Sequence, residues 1–255
     1  MIQSHAHNRE HEPAMVTLAL ALVTGYSLGP VAIIPLWSLA GLLMATAVAT
    51  FVPRLRVHLP AAGACLGLVY GAFLAILAVP ALRLTGPAQV GIFKLVWALA
   101  LAFACLATGA TTGDLLPELG TISRRGWLGA LVAFGLLAGA YWWFFRTPLA
   151  ALRPTGWALV AGAAYRALAA GIMDEFIFRG LLLGRFLVAN RALYAILAQA
   201  TVYAMLYMGF ATPGIGSFVL AFLLAMVTGY SVIRTKGVGW AFLVHGTYAA
   251  FMYLV

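Results

Sequence analysis

Apolar residues in this chain fall in unbroken stretches of about 20, the length that matches a bilayer's hydrocarbon core, and polar residues gather in the short gaps between them. Strands of a transmembrane barrel alternate polar and apolar positions, so runs of this length predict helices. The pattern predicts an all-α fold, a polytopic transmembrane helix bundle of about eight to nine spans. Residues 1–13 are polar, with His5, His7 and His11 at alternating positions, and are expected to form a disordered polar tail. Residues 14–52 are apolar but interrupted by Gly29-Pro30 and Pro35. That predicts two spans meeting near residue 29, or one long kinked span followed by a short helix. Further spans are expected over about 59–80, 88–109, 126–145, 192–210, 215–233 and 238–255. The stretch from about 155 to 188 is too long for one upright span at 1.5 Å per residue. It must tilt, break near Gly171, or project from the membrane.

Composition strengthens this picture. The chain of 255 residues is 64% hydrophobic and 8% charged, with mean hydropathy +1.02, against about 25% charged for soluble domains. The net charge of +9 comes from basic residues standing singly or in pairs at the ends of apolar runs. No basic stripe forms, so a nucleic-acid partner is not expected; the partner that the composition implies is the lipid bilayer. Arg54, Arg56, Arg124, Arg125, Arg185, Arg191, Arg234 and Lys236 fall on one side of the predicted bundle. Arg83, Arg146 and Arg153 fall on the other. The positive-inside rule makes the first side cytoplasmic, in a cell (plasma) membrane. Tyr141-Trp142-Trp143-Phe144-Phe145 followed by Arg146 reads as an interfacial belt, and Lys94 is close enough to a span end to snorkel. Cys65 and Cys105 read as packed thiols. The first run lacks the features of a cleaved signal and is expected to be retained.

The candidate chemistry concentrates in Met173-Asp174-Glu175-Phe176-Ile177-Phe178-Arg179-Gly180, which holds the only acidic residues after Glu118. Charges at membrane depth are expensive and face bundle interiors or wet cavities. On an α-helix Glu175 and Arg179 stack at i, i+4 in the favourable order, while Asp174 is rotated about 100° from Glu175. The expected arrangement is a Glu175–Arg179 brace and an Asp174 carboxylate with no partner in its own helix, suited to general acid or base work. His245 sits in the middle of a later span, placed to meet a carboxylate. Tyr203 and Tyr207 share a helix face, and Tyr203 reads as apolar packing. No cofactor and no metal site is expected, because one Asp, one Glu and one His supply little zinc-type ligation once Glu175 is paired.

Over roughly residues 120–255 the sequence resembles the CAAX-processing and bacteriocin-processing (CPBP or Abi) family of intramembrane endopeptidases. Asp174-Glu175-Phe-Ile-Phe-Arg179-Gly180 is similar to the family's Glu-Glu-x-x-x-Arg motif. Tyr203-Ala-Met-Leu-Tyr207 falls at its Phe-x-x-x-His, and His245-Gly-Thr-Tyr-Ala249 at its His-x-x-x-Asn or Asp. The lead-in from Gly229 to Arg234 is similar as well. The resemblance implies a division into the tail 1–13, N-terminal helices 14–119 and a motif-bearing core 120–255. It also implies peptide-bond hydrolysis of a lipidated or membrane-tethered substrate; the loop charges independently put the motif toward the cytoplasmic side. In that family the first glutamate and first histidine are thought to activate water, and the second histidine and asparagine to hold the oxyanion; a metal has been argued both ways. Carried over, the positions are Asp174, Tyr207, His245 and Ala249.

Three of these four depart from the pattern. Aspartate is one methylene shorter than glutamate, and ångström-scale misplacement costs on the order of a hundredfold. Tyrosine is a poor base at neutral pH. Alanine offers no oxyanion donor, a loss of ~10²–10³ in rate. The candidate site residues are therefore Asp174, Glu175, Arg179, Tyr207 and His245. They are open to three readings: an endopeptidase, a non-catalytic relative that binds a membrane partner as a scaffold, chaperone or immunity-type protein, and a proton or solute pathway.

Overall fold

The computed structural model describes residues 2–28, 36–81, 86–111, 118–121, 124–144, 156–210 and 214–254. The described residues are helical with short connections, and the chain is an all-α membrane bundle. Its helices are α1 (Ile2–Leu28), α2 (Leu36–Phe51), α3 (Leu59–Ala81), α4 (Gly86–Ala107), α5 (Arg124–Phe144), α6 (157–189), α7 (Ala192–Phe210), α8 (Ile215–Thr235) and α9 (Gly239–Leu254). Among the described residues, three segments are long and apolar enough to cross a membrane: Pro53–Ala78, Gln89–Ala107 and Ile215–Thr235. Ala14–Leu28, Ser38–Phe51 and Ala192–Tyr207 are shorter apolar helices.

Two expectations are settled by these boundaries. Residues 14–52 form two helices, although the Gly29-Pro30 junction itself lies outside the described residues. Residues 2–13, expected as a disordered tail, are helical and continuous with the apolar part of α1. Once the apolar turns have nucleated the helix, added residues gain backbone hydrogen bonds, except where Pro13 has no N–H to donate, and the Arg and Glu of this segment are fair helix formers. The side chains of the three N-terminal histidines and of the Tyr141–Arg146 belt lie outside those described.

Helix α6 takes the long stretch that one upright span cannot accommodate. It does not break at Gly171. The backbone stays helical from 157 to 189, with wider, π-type hydrogen bonding over Ala167–Asp174 and Phe176–Leu182. Such turns are rare and recur at functional sites. Gly171 serves instead as a crossing point on α9: a Cβ there would stand 2.6 Å from the Gly246 Cα. Backbone against backbone at this point brings the charged turns of α6 beside His245.

The N-terminal helices do not stand apart from the motif-bearing ones. One hydrophobic cluster joins Leu68, Leu101 and Cys105 to Phe178, Phe186 and Tyr203. Helices α3 and α4 are drawn together because glycines recur every fourth residue on α3. A Cβ on Gly67 would come within 2.4 Å of the Ala104 Cβ, the small-residue contact that membrane helices favour. Trp97 of α4 ties this layer inward: its Nε1 donates to Leu68 O at 2.6 Å, and its ring meets Phe178 edge-on at 5.8 Å. Both cysteines are buried and free, as packed thiols. A backbone clasp holds the start of the α5 segment to the α8–α9 turn, with Val238 N–H donating to Glu118 O at 2.8 Å and Gly239 N–H to Leu119 O at 2.9 Å.

Candidate functional site

The five candidate side chains come from α6, α7 and α9, and the fold brings all of them together. Asp174, Glu175 and Arg179 of α6 are buried, as is His245 of α9. Each polar group has a specific neighbour.

Glu175 is at the centre. Its Oε1 lies 2.6 Å from His245 Nδ1, and its Oε2 lies 3.1 Å from Arg179 Nε. The i, i+4 pairing expected from the sequence is therefore present, with both side chains sealed from solvent. It is a charge contact without good hydrogen-bond alignment, and the terminal guanidinium nitrogens have no hydrogen-bond partner. The guanidinium lies over the Tyr203 ring, its Cζ 4.5 Å from the centroid. The electron-rich ring face supplies part of the stabilisation that missing acceptors do not.

His245 has both ring nitrogens occupied. A carboxylate only accepts, so Nδ1 carries the proton donated to Glu175. Nε2 faces the Tyr203 hydroxyl at 3.1 Å, and with the ring neutral that hydroxyl donates to it. Tyr203, expected as apolar packing, is therefore part of the polar network. Its ring is wedged by Phe178, edge-on at 5.0 Å, and by Tyr207 at 4.5 Å.

Asp174 departs furthest from expectation. It has no partner within α6, as the spacing predicted, but it is not a free carboxylate. The Tyr207 hydroxyl donates to Oδ2 in a short hydrogen bond. Lys94 of α4 places its Nζ 2.6 Å from Oδ1 and also donates to Ala169 O at 2.9 Å. Lys94 does not snorkel outward; it turns inward, because a buried carboxylate is a better partner than a distant interface. Sequence reading missed this residue, since a contact spanning 80 positions leaves no local pattern. The one available signal was that Lys94 is a lone cation inside an apolar run.

The network's charges balance. The cationic side chains of Lys94 and Arg179 offset the carboxylates of Asp174 and Glu175. Zero net charge is what a low-dielectric interior favours. The donor set does not fit a metal. Neither nitrogen of His245 is open, and both carboxylates hold cationic or hydroxyl partners. Ala249 contributes no polar group at the position where the family resemblance implies an oxyanion donor.

A family model described as type II CAAX prenyl endopeptidase Rce1-like matches residues 155–251. No curated protein and no solved structure matches the chain. The matched segment spans α6 to α9 and contains Asp174, Glu175, Arg179, Tyr203, Tyr207 and His245; Lys94 lies outside it. Over this segment the chain is similar to the CAAX-protease-like membrane proteins.

Proposed function

We propose that this CAAX-endopeptidase relative binds a lipidated or otherwise membrane-tethered peptide and does not hydrolyse it at a peptidase's rate. One observation carries the reading: the polar atoms of Asp174, at the water-activating position, and of His245, at the oxyanion position, are each engaged by another protein group. Both oxygens of Asp174 are engaged, by Lys94 and by Tyr207. Both nitrogens of His245 are engaged, by Glu175 and Tyr203. A general base needs a lone pair within about 2.6–3.2 Å of the water proton it removes. Here the ammonium of Lys94 and the hydroxyl of Tyr207 stand where a water would have to approach the carboxylate. Even a freed Asp174 would meet a tyrosine and an alanine where the family pattern supplies histidine and asparagine.

The network suits binding better than turnover. It crosslinks α4, α6, α7 and α9 around one point. The excess of basic residues at the ends of α6 and α8 supports a cytoplasmic placement of the motif helix, in the plasma membrane.

The test uses the purified chain in nanodiscs with a panel of farnesylated, geranylgeranylated and leader-type peptides, read for binding by fluorescence and for cleavage by mass spectrometry. Saturable binding without product supports the proposal. Product that disappears in Asp174→Ala moves the chain to the second reading, slow hydrolysis with Asp174 as base. That reading has its own support in the convergence of Asp174, Tyr207 and His245 on one network, and apo hydrogen bonds can rearrange when substrate enters.

A further inference from the structure

Among the described residues, the ammonium of Lys94 is used only in part. An ammonium carries three N–H donors. Asp174 Oδ1 takes one at 2.6 Å and Ala169 O takes another at 2.9 Å. The side chain keeps 14% of its surface exposed, against 2% for Asp174.

That exposure opens sideways. Val90 stands one turn before Lys94 on α4, and Leu168 and Ile172 flank Ala169 on α6; all three are exposed apolar side chains. They mark the outer surface of the bundle, so Lys94 sits in the seam between α4 and α6 and is reached from the bilayer side. The seam is close one turn away, where a Cβ on Gly91 would stand 3.9 Å from the Tyr165 hydroxyl. At Lys94 itself the neighbouring turns of α6 are π-type, and they present a carbonyl to the ammonium.

Hydrocarbon offers no water to satisfy the third N–H. Charge balance then decides which acceptor suits it. Lys94 and Arg179 already offset Asp174 and Glu175, so an added carboxylate would leave an unpaired negative charge in the membrane, at high cost. A neutral carbonyl oxygen satisfies the donor and leaves the balance intact.

We propose that Lys94 is the ligand-contacting cation of this site: its third N–H donates to a backbone carbonyl oxygen of the membrane-tethered peptide, which enters through the seam between α4 and α6. The proposal rests on the peptide-binding reading above. It adds a recognition residue from outside the family-matched segment, and a direction of approach.

The experiment measures the affinity of a fluorescent farnesylated peptide, as the free acid and as the C-terminal amide, for the full chain in neutral-lipid nanodiscs. The Lys94→Met/Asp174→Asn variant removes the ion pair as a unit, so no buried charge is orphaned. It is expected to bind both peptides about tenfold more weakly or worse, the loss associated with one charge-assisted hydrogen bond. Asp174→Asn alone keeps the ammonium and is expected to lose at least about threefold less affinity than the paired variant. A merely structural role for Lys94 predicts equal loss in both variants, and that result overturns the proposal. So does binding by the paired variant within about twofold of wild type, or a loss confined to the free acid, which would mean a carboxylate contact. If wild type binds no peptide of the panel, the peptide-binding reading itself falls and takes this inference with it. Should the paired variant fail to fold, a peptide carrying a photoreactive diazirine beside its backbone carbonyl gives an independent readout on wild type. Crosslinking at Lys94 or the facing turn of α6, located by mass spectrometry, is expected, and crosslinks elsewhere only count against the contact.

Discussion

Replacing Glu175 by alanine tests whether the buried network is a unit. Glu175 is fully buried and serves two groups, Arg179 at 3.1 Å and His245 at 2.6 Å. Its removal leaves the guanidinium with no anion and the His245 Nδ1–H with no acceptor. Breaking a buried ion pair from one side costs about 3–5 kcal/mol, and an orphaned buried donor a further ~1–3 kcal/mol. Members of one network do not add, because each relaxes toward the other's vacancy; the expected total for Glu175→Ala is about 4–6 kcal/mol. Glu175→Gln keeps an acceptor for His245 and loses only the charge, so it falls lower, at about 2–4 kcal/mol. The Glu175→Leu/Arg179→Leu pair removes both charges together. It should recover most of the stability lost in Glu175→Ala, because apolar residues often replace a buried ion pair at little cost. The assay is reversible unfolding in mixed micelles followed by tryptophan fluorescence. A Glu175→Ala effect below about 1 kcal/mol, the range of an exposed surface pair, would refute the claim that these charges are sealed and interdependent.

Other consequences follow from single contacts. Gly171→Ala places a Cβ 2.6 Å from the Gly246 Cα and should destabilise by about 1–3 kcal/mol through overpacking, which the same unfolding assay would register. Gln199 is fully buried with neither amide atom hydrogen-bonded; Gln199→Leu should therefore stabilise the protein by about 1 kcal/mol or more, seen as a raised unfolding midpoint. Installing the family's residues with Tyr207→His/Ala249→Asn should raise cleavage of a prenylated peptide by at least about tenfold over wild type, since one oxyanion donor alone is worth ~10²–10³. Mass spectrometry of the products would check it.

The helices were legible in the sequence because each is an unbroken apolar run closed by Gly, Pro or a basic residue. Observed helices such as Leu59–Ala81 and Ile215–Thr235 differ from the expected spans by a residue or two. The Glu175–Arg179 pair was legible for a similar reason: its geometry is local, four residues along one helix. What was hidden depends on distance along the chain. Lys94 meets Asp174 across 80 positions, and Tyr203 meets His245 across 42, so neither contact leaves a periodicity. The π-type turns of α6 were equally hidden, because no residue pattern along the helix marks them. The glycines at 63, 67 and 71 are a different case. Their four-residue recurrence was in plain view and marks the α3–α4 contact, but it lay outside the motif-bearing region on which attention fell.

The central claim is that Asp174 is spent on Lys94 and Tyr207 and activates no water. It is tested most directly by single-turnover incorporation of oxygen-18 from labelled water into a farnesylated peptide, with the protein in excess and held in nanodiscs. Under these conditions even one hydrolysis per chain is visible. The account predicts bound peptide whose carboxyl oxygens carry no label above a no-protein control. Stoichiometric label that vanishes in Asp174→Ala would contradict it.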